Sequence, residues 1–144
     1  MPKVLISDKM SPLAEQVFKD RGIEVDVKTG MTPEELIACI GDYDGLAVRS
    51  STKAKTEIIE AATNLKVIGR AGIGVDNIDV ATATSRGVLV MNTPFGNSTT
   101  TAEHAISMIL ALARDIPQAN ASTHLGKWEK SRFMGMEVTG KTLG

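Results

Sequence analysis

The sequence predicts an α/β fold built on a doubly wound, parallel sheet of five strands. Over roughly the first ninety residues, short runs rich in β-branched residues alternate with helical patterns, as expected when helices cover both faces of a parallel sheet. Several helical patterns begin with a capping residue and a proline, and glycines follow where the helices are expected to end. These observations favour one α/β domain followed by a shorter second segment.

The individual elements follow from local signals. Ser11 precedes Pro12 at the first helix, and Thr32 precedes Pro33 at the second, with Glu35 placed to complete a capping box. The glycines expected to end helices are Gly22, Gly41 and Gly87. Strands are predicted near residues 3–7, 23–28, 45–49, 66–70 and 88–91, and helices near 12–20, 33–40, 54–62 and 78–85.

The chain changes character after residue 91. Segment 91–98 is rich in Pro, Gly and Asn and predicts a loop, so we place a domain boundary between domains 1–97 and 98–144. The next pattern, 99–114, is apolar on nearly every side, so we expect a helix that lies between two domains or two subunits. Thr100 and Glu103 have capping-box spacing. A weaker helix should end at Gly126, and residues 140–144 resemble the beginning of a strand.

Composition excludes several classes of protein. Sixteen basic and seventeen acidic residues give a net charge of −1, which excludes a broad positive field for nucleic acid or a membrane surface. Cys39 is the only cysteine, which excludes an intramolecular disulfide and suits a reducing compartment. The start of the chain lacks a signal-peptide pattern, and no apolar stretch is long enough to span a bilayer. We expect a cytoplasmic protein that binds any anion locally.

Two arginines provide the main functional signal. Arg49 and Arg70 each stand at the carboxyl end of an apolar strand, where open α/β sheets bind their ligands. Ser50 and its small neighbours would let main-chain N–H groups approach a ligand closely. Because guanidinium groups bind phosphate and carboxylate in a bidentate way, the pair predicts a site for a small anion. The alternative is that each arginine makes an exposed ion pair.

The segment Gly72-Ile-Gly-Val-Asp-Asn77 resembles a dinucleotide fingerprint only in part. Asn77 occupies the position of the third glycine, which the fingerprint requires for close packing of helix on strand. We therefore interpret the segment as a carboxylate-binding turn that leads into a helix capped by Asp76 or Asn77.

The sequence predicts no complete catalytic set. His104 and His124 are the only histidines, and neither has a carboxylate at a spacing that would make it a general base. We expect both to be structural. No spacing typical of metal ligands occurs, so we assign no catalytic residue and no metal to this chain.

Four blocks along the chain carry a family resemblance: residues 48–53 (VRSSTK), 67–79 (VIGRAGIGVDNID), 88–98 (VLVMNTPFGNS) and 126–135 (GKWEKSRFMG). Together they resemble the phosphoglycerate branch of the D-isomer-specific 2-hydroxyacid dehydrogenases. The resemblance implies a flavodoxin-like substrate-binding domain over 1–97. It also implies that 98–144 opens a Rossmann domain for NAD, and that helix 98–116 helps to form a homo-oligomer.

The resemblance also implies roles for single residues. Arg49, Ser50 and Arg70 would bind a substrate phosphate, and Lys130 would add a contact from a neighbouring subunit, although the family often has Arg at that position. Gly72 and Gly74 would meet the substrate carboxylate, with Ile73 on the nicotinamide side. The activity implied for the whole protein is NAD-dependent oxidation of 3-phosphoglycerate to 3-phosphohydroxypyruvate in serine biosynthesis. The family's glycine fingerprint and catalytic residues do not occur in these 144 residues, so we expect this chain alone to be inactive.

Two other functions stay open. A hydroxypyruvate or glyoxylate reductase of the same family would use the same fold without needing a phosphate site. A corepressor-like binding protein would use it without catalysis, because a fold does not fix a function.

Overall fold

A computed structural model describes all residues from 1 to 144. The chain divides into two compact units, Met1–Gly96 and Asn97–Gly144. The first unit contains a five-stranded sheet and four helices, whereas the second contains only helices, turns and irregular segments.

The first unit confirms the predicted parallel sheet. The strands lie in the order β2-β1-β3-β4-β5, and every neighbouring pair is parallel. The strands are β1 (Lys3–Ile6), β2 (Glu24–Val27), β3 (Gly45–Val48), β4 (Val67–Arg70) and β5 (Leu89–Met91). The helices between them are α1 (Pro12–Asp20), α2 (Pro33–Ile40), α3 (Thr56–Ala61) and α4 (Val80–Ser85). These bounds differ from the sequence-based ones by at most two residues.

The strand order decides which face each helix covers. The connection from β1 to β2 runs in one direction across the sheet, and the three later connections run in the other. Because such crossovers are right-handed, α1 lies on one face and α2, α3 and α4 lie on the opposite face. Consistent with this, α3 packs against both α2 and α4. The sheet is therefore doubly wound, and within this unit α1 is the one helix on its face.

The core forms around a row of aliphatic side chains that crosses the sheet. Leu5 is paired with Leu46, and Leu46 with Ile68, and all three are fully buried. Ile40 and Ile59 from the helices join the same cluster. Complete burial of such residues supplies most of the free energy that stabilises a domain of this size.

The predicted helix starts of α1 and α2 are confirmed. The Ser11 hydroxyl accepts from the Leu13 N–H at 3.3 Å. At α2, Thr32 Oγ1 accepts from the Glu35 N–H at 3.3 Å while Glu35 Oε2 accepts from the Thr32 N–H at 2.8 Å, so the capping box is complete. After α1 the chain turns at Gly22, where φ is +68°, a conformation that favours glycine.

The second unit consists of α5 (Ser98–Ala113), α6 (Ile116–His124) and a short 3-10 helix (Lys130–Phe133). No residue of α5 is buried in this chain, although the helix is rich in large apolar residues. The residues after the 3-10 helix return to α5, where the Met136 N–H donates to the Ala113 carbonyl at 2.7 Å. None of the helices in the structure combines the length and the apolar content required to cross a membrane.

Two predictions for this second unit were wrong. The proposed capping box of Thr100 and Glu103 does not form, because α5 already begins at Ser98 and Thr100 lies within its first turn. The strand expected at 140–144 is absent. A strand is stable only when a neighbouring strand pairs with its backbone, and the only backbone hydrogen bond here joins the Lys141 N–H to Val138 within a turn.

Asp79 joins the starts of α3 and α4. Its carboxylate accepts from the Thr82 N–H at 3.0 Å and from the hydroxyls of Thr82 and Thr56, each at 2.7 Å. These hydrogen bonds, the one from the Thr82 N–H most of all, lower the pKa of Asp79 to about 2. The carboxylate therefore stabilises the folded state in its ionised form.

We expect this contribution to depend on pH with a defined sign. Because the pKa of Asp79 lies below its ordinary value of 3.8, the stabilisation is complete above that value and is lost as the pH falls towards 2. The urea midpoints of the wild type and Asp79→Asn should differ most near neutral pH and converge between about pH 5 and pH 2. Asp42→Asn is the control, since the exposed Asp42 side chain makes no hydrogen bond. A difference for Asp79→Asn that stays constant over this range would contradict the prediction.

Candidate functional site

Four loops meet at the carboxyl edge of the sheet. They follow β1, β3, β4 and β5, and they lie together because parallel strands end at the same edge. Hydrogen bonds connect them in sequence: the loop after β3 to those after β1 and β4, and the loop after β4 to the one after β5. The candidate site is built from these four loops.

Asp8, at the end of β1, holds the loop that follows β3. Only 5% of this residue is exposed. Its carboxylate accepts from the Arg49 N–H at 2.6 Å, from the Thr52 N–H at 3.0 Å and from the Thr52 hydroxyl at 2.8 Å. The Ser7 hydroxyl lies 2.9 Å from the same Thr52 hydroxyl. These donors offset the cost of burying a carboxylate and fix the path of residues 49–52.

Asn77 holds the same loop from the other side. Its side-chain N–H groups donate to the Arg49 carbonyl at 2.8 Å and to the Thr52 carbonyl at 2.7 Å. It is also 5% exposed, and its Oδ1 has no hydrogen-bond partner. The prediction that Asp76 or Asn77 caps the next helix was wrong, because α4 is capped by Asp79. A backbone bridge between Ala54 and Ile78 brings this segment against the loop after β3, next to the buried Asn77.

Arg49 and Arg70 lie at this edge, as their positions in the sequence predicted. The exposed Arg49 donates from Nη1 to the Lys9 carbonyl at 3.2 Å. Arg70 donates from Nε to the Arg49 carbonyl at 3.1 Å, and its side chain is only 13% exposed. Its Nη1 is 3.7 Å from a carboxylate oxygen of the exposed Asp76, beyond hydrogen-bond distance.

The exposed ion pairs considered as an alternative are therefore not the main interaction of either arginine. Arg49 has no carboxylate within ion-pair distance, and the contact between Arg70 and Asp76 is loose and open to solvent. Both guanidinium groups instead bind backbone carbonyls, which leaves their positive charges available to an anion.

The turn after β4 packs beside the Arg70 side chain. The Gly72 carbonyl accepts from the Thr93 N–H at 2.9 Å, and the Ile73 carbonyl accepts from Asn92 Nδ2 at 2.7 Å. The turn is thus tied to the loop after β5. A Cβ at Gly74 would lie 3.0 Å from Arg70 Nη1, whereas one at Gly72 would lie at least 3.5 Å from that side chain. Gly74 therefore leaves the space that the guanidinium group occupies.

The other residues singled out in the sequence lie elsewhere. His104 is exposed on α5, and His124, exposed at the end of α6, has its Nδ1 2.9 Å from the Asn120 carbonyl. Lys130 is exposed in the 3-10 helix of the second unit. Cys39 is a half-buried free thiol that packs against the core. No group of three or more His, Cys, Asp or Glu side chains is placed to hold a metal ion.

Residues 4–141 match the family model described as the D-isomer specific 2-hydroxyacid dehydrogenase, catalytic domain. The chain belongs to this family. It is 54% identical over 142 residues to the D-3-phosphoglycerate dehydrogenases of Archaeoglobus fulgidus and Homo sapiens, a match that covers 99% of the chain and 27% of each relative. The chain therefore spans about a quarter of the length of these curated relatives.

Solved structures agree with this assignment. The PH0520 protein of Pyrococcus horikoshii is 34% identical, with a TM-score of 0.83 over 95% of this chain and 42% of that one. The NAD⁺-bound 3-phosphoglycerate dehydrogenase of Entamoeba histolytica is 32% identical, with a TM-score of 0.68 over 78% and 39%. The family resemblance seen in the sequence blocks is thus confirmed, and so is the flavodoxin-like order of the strands.

Sequence reasoning missed the parts played by Asp8 and Asn77. Asp8 lies two residues after the end of β1, and Asn77 lies in the loop after β4, so both were candidates for the carboxyl edge by position. A polar residue near a strand end is only a weak signal of such a role, because its partners here are at least 25 residues away in the chain.

We expect Gly74→Ala to displace the Arg70 guanidinium group. Gly74 does not have a positive φ, so alanine fits the backbone, and the new methyl group would lie 3.0 Å from Arg70 Nη1 and 3.1 Å from the carboxylate of the exposed Asp76. The Nε–H resonance of Arg70 should shift, while the free energy of unfolding changes by only about 0.5 kcal/mol. Gly41→Ala, where a Cβ meets its neighbours at 3.4 Å, should leave that resonance in place. An unchanged Arg70 resonance in Gly74→Ala would refute the proposed packing.

Proposed function

We propose that this chain forms the substrate-binding part of an NAD-dependent D-3-phosphoglycerate dehydrogenase, which oxidises 3-phosphoglycerate to 3-phosphohydroxypyruvate in serine biosynthesis. One observation carries the proposal: two arginines at the carboxyl edge of the sheet have guanidinium groups that no carboxylate neutralises within hydrogen-bond distance. The names of relatives at 54% identity support the same substrate.

In this proposal the two arginines bind the phosphate. A phosphate monoester carries a charge between about −1.5 and −2 near neutral pH, which two guanidinium groups balance. Arg49 contributes from the loop after β3 together with the N–H of Ser50, and Arg70 contributes from the end of β4. Lys130 adds a further cation from a neighbouring subunit.

The substrate carboxylate would lie at the turn after β4. The N–H groups of Ile73 and Gly74 make no hydrogen bond within the chain, while the carbonyls of Gly72 and Ile73 are held by the loop after β5. A turn fixed through its carbonyls can present its N–H groups to a carboxylate without having to reorganise. Phosphate and carboxylate would then be bound on adjacent loops of one edge.

NAD is proposed as the cofactor of the whole protein, but the residues of this chain do not form its binding cradle. The glycine turn at 72–74 leads to Asn77 and then to the six-residue α4, which begins only at Val80, so no helix N-terminus faces the turn. The contact that we propose from this chain is the exposed side chain of Ile73, which would border the nicotinamide. The chain itself therefore contributes substrate binding and orientation.

The proposal includes two further features. The large apolar residues exposed along α5, among them Ile106, Met108 and Leu112, favour a homo-oligomer in which a second copy covers this helix. A lone free cysteine and the metabolic role suit the cytoplasm, where we propose that the protein acts.

The proposed substrate can be tested by titration of the chain. We expect 3-phosphoglycerate to shift the amide resonances of residues 49–52 and 70–77, and glycerate, which lacks the phosphate, to bind much more weakly. Arg70→Met should lower the affinity about tenfold to a hundredfold, because a charge-assisted hydrogen bond is lost. Arg86→Met removes an exposed arginine at the end of α4 and should have no effect.

Two results would contradict the proposal. Equal affinity for glycerate and 3-phosphoglycerate would indicate a hydroxypyruvate or glyoxylate reductase. Binding of neither acid at millimolar concentration would favour a corepressor-like binding protein.

The proposed oligomer can be tested by sedimentation equilibrium. The wild-type chain should show a concentration-dependent mass that approaches twice that of the monomer. Leu112→Lys should shift this equilibrium towards the monomer, because a charge would replace a leucine that is 78% exposed on α5. Val27→Lys adds the same charge at an exposed apolar position on the edge strand β2 and should leave the mass unchanged. A monomeric wild type at all concentrations would refute this part of the proposal.

A further inference from the structure

We infer that Asp8 and Asn77 are positioning residues, which hold the Arg49–Thr52 turn in the form that binds the phosphate. The inference rests on the proposed function, because it concerns the same anion site. Neither residue needs to touch the ligand; each acts through the backbone of the turn.

Asp8 and Asn77 bind different backbone groups at the two ends of this turn. The N–H groups of Arg49 and Thr52 both donate to the Asp8 carboxylate, and the carbonyls of the same two residues both accept from Asn77 Nδ2. An ordinary β-turn would be closed by a bond from the N–H of Thr52 to the carbonyl of Arg49. Here both groups bind side chains instead, so Asp8 and Asn77 replace the internal bond of the turn.

This arrangement leaves the middle of the turn available. The N–H groups of Ser50 and Ser51 make no hydrogen bond within the chain, and both residues are exposed. Two consecutive free N–H groups in a turn are donors of the kind that bind phosphate oxygens. The arrangement of these donors depends on the ends of the turn staying in place.

Both positioning residues, Asp8 and Asn77, are buried, which keeps their hydrogen bonds to the turn in place. Asp8 and Asn77 are each 5% exposed, so neither exchanges its partners freely with solvent. The orientation of the Asn77 amide is also decided by its neighbours, because a reversed amide would place its oxygen against two carbonyls. In the observed orientation both amide protons of Asn77 bind the turn, and its buried Oδ1 is left without a partner.

The hydrogen bonds of Asn77 also connect the two arginines. The Arg49 carbonyl accepts from Asn77 at 2.8 Å and from Arg70 Nε at 3.1 Å. Rotation of this peptide would therefore move the Arg49 backbone and remove the anchor of Arg70 together. Loss of Asn77 should weaken both halves of the phosphate site, although Asn77 carries no charge.

Asp8 provides a test in which positioning and simple electrostatics predict opposite results. Asp8→Asn removes a negative charge close to an anion site, so electrostatics alone predicts tighter binding of phosphate. The amide, however, cannot accept from the Arg49 and Thr52 N–H groups and the Thr52 hydroxyl as the carboxylate does. Positioning therefore predicts weaker binding.

The opposite edge of the sheet offers controls with the same kinds of hydrogen bond. Asn64 donates from Nδ2 to the Gly41 carbonyl at 2.7 Å, the same kind of bond as those of Asn77. Asp44 accepts from the Lys3 N–H at 2.9 Å and so holds a backbone group as Asp8 does. Asn64→Ala and Asp44→Asn remove the same kinds of hydrogen bond, at the exposed Asn64 and the partly exposed Asp44, without touching the site.

The experiment is a titration of the full chain with 3-phosphoglycerate, followed by amide resonances, with urea unfolding measured on each variant. We expect Asn77→Ala and Asp8→Asn to lower the affinity at least tenfold, and the Ser50 and Ser51 amides to lose their response at saturation. Arg70→Met should lower the affinity but keep that response. Asn64→Ala and Asp44→Asn should bind as the wild type does.

The outcomes separate the two proposals. If the wild type binds and Asp8→Asn binds equally or more tightly, the positioning role is refuted and the arginine site stands. If Asn77→Ala does not fold, Asp8→Asn, which keeps the size of the side chain, decides alone. If the wild type binds no phosphorylated acid, both the site and its positioning residues are refuted.

Discussion

Parallel pairing of β1, β3 and β4 is the constraint on which the site depends. The three strands lie side by side, so the loops after them are neighbours although they are far apart in sequence. A one-residue slip between β3 and its neighbours would turn Leu46 away from its buried partners Leu5 and Ile68. The aliphatic row in the core therefore also fixes which backbone groups reach Asp8 and Asn77.

The dependence of the site on strand pairing explains which of its features could be predicted from the sequence. The alternating patterns and the capping residues were sufficient to predict the strands and helices of the first unit. The positions of Arg49 and Arg70 at the ends of predicted strands were sufficient to predict that both lie at one edge of the sheet. The partners of Asp8 and Asn77 could not be predicted, because they depend on a register between segments 25 to 44 residues apart. The local rule for helix caps failed at α4, because Asn77, one of the two predicted caps, instead makes hydrogen bonds to a distant loop. Asn77 binds the carbonyls of Arg49 and Thr52 beside the bridge from Ala54 to Ile78, and Asp79 caps α4.

The two edges of the sheet differ in how their charges are used. At the amino edge, Lys66 and the Lys3 N–H lower the pKa of Asp44. Close by, the Tyr43 hydroxyl and the Lys3 ammonium group lower the pKa of Asp26. Every cation named in these contacts is matched by a carboxylate within hydrogen-bond distance. Such pairs are partly exposed and contribute modestly to stability, but they leave little charge for a ligand.

At the carboxyl edge the pattern is reversed, and this contrast is the best physical reason to assign function there. The Asp8 carboxylate binds backbone N–H groups and a hydroxyl in preference to either guanidinium group, although the Arg49 backbone is one of its partners. The arginines in turn bind carbonyl oxygens, which carry no net charge. Asp8 and the Arg49 guanidinium group are therefore not paired with each other. Because they are not paired, one positive charge stays available beside the turn at Arg49 and another at the end of β4, and both are held by hydrogen bonds to the backbone.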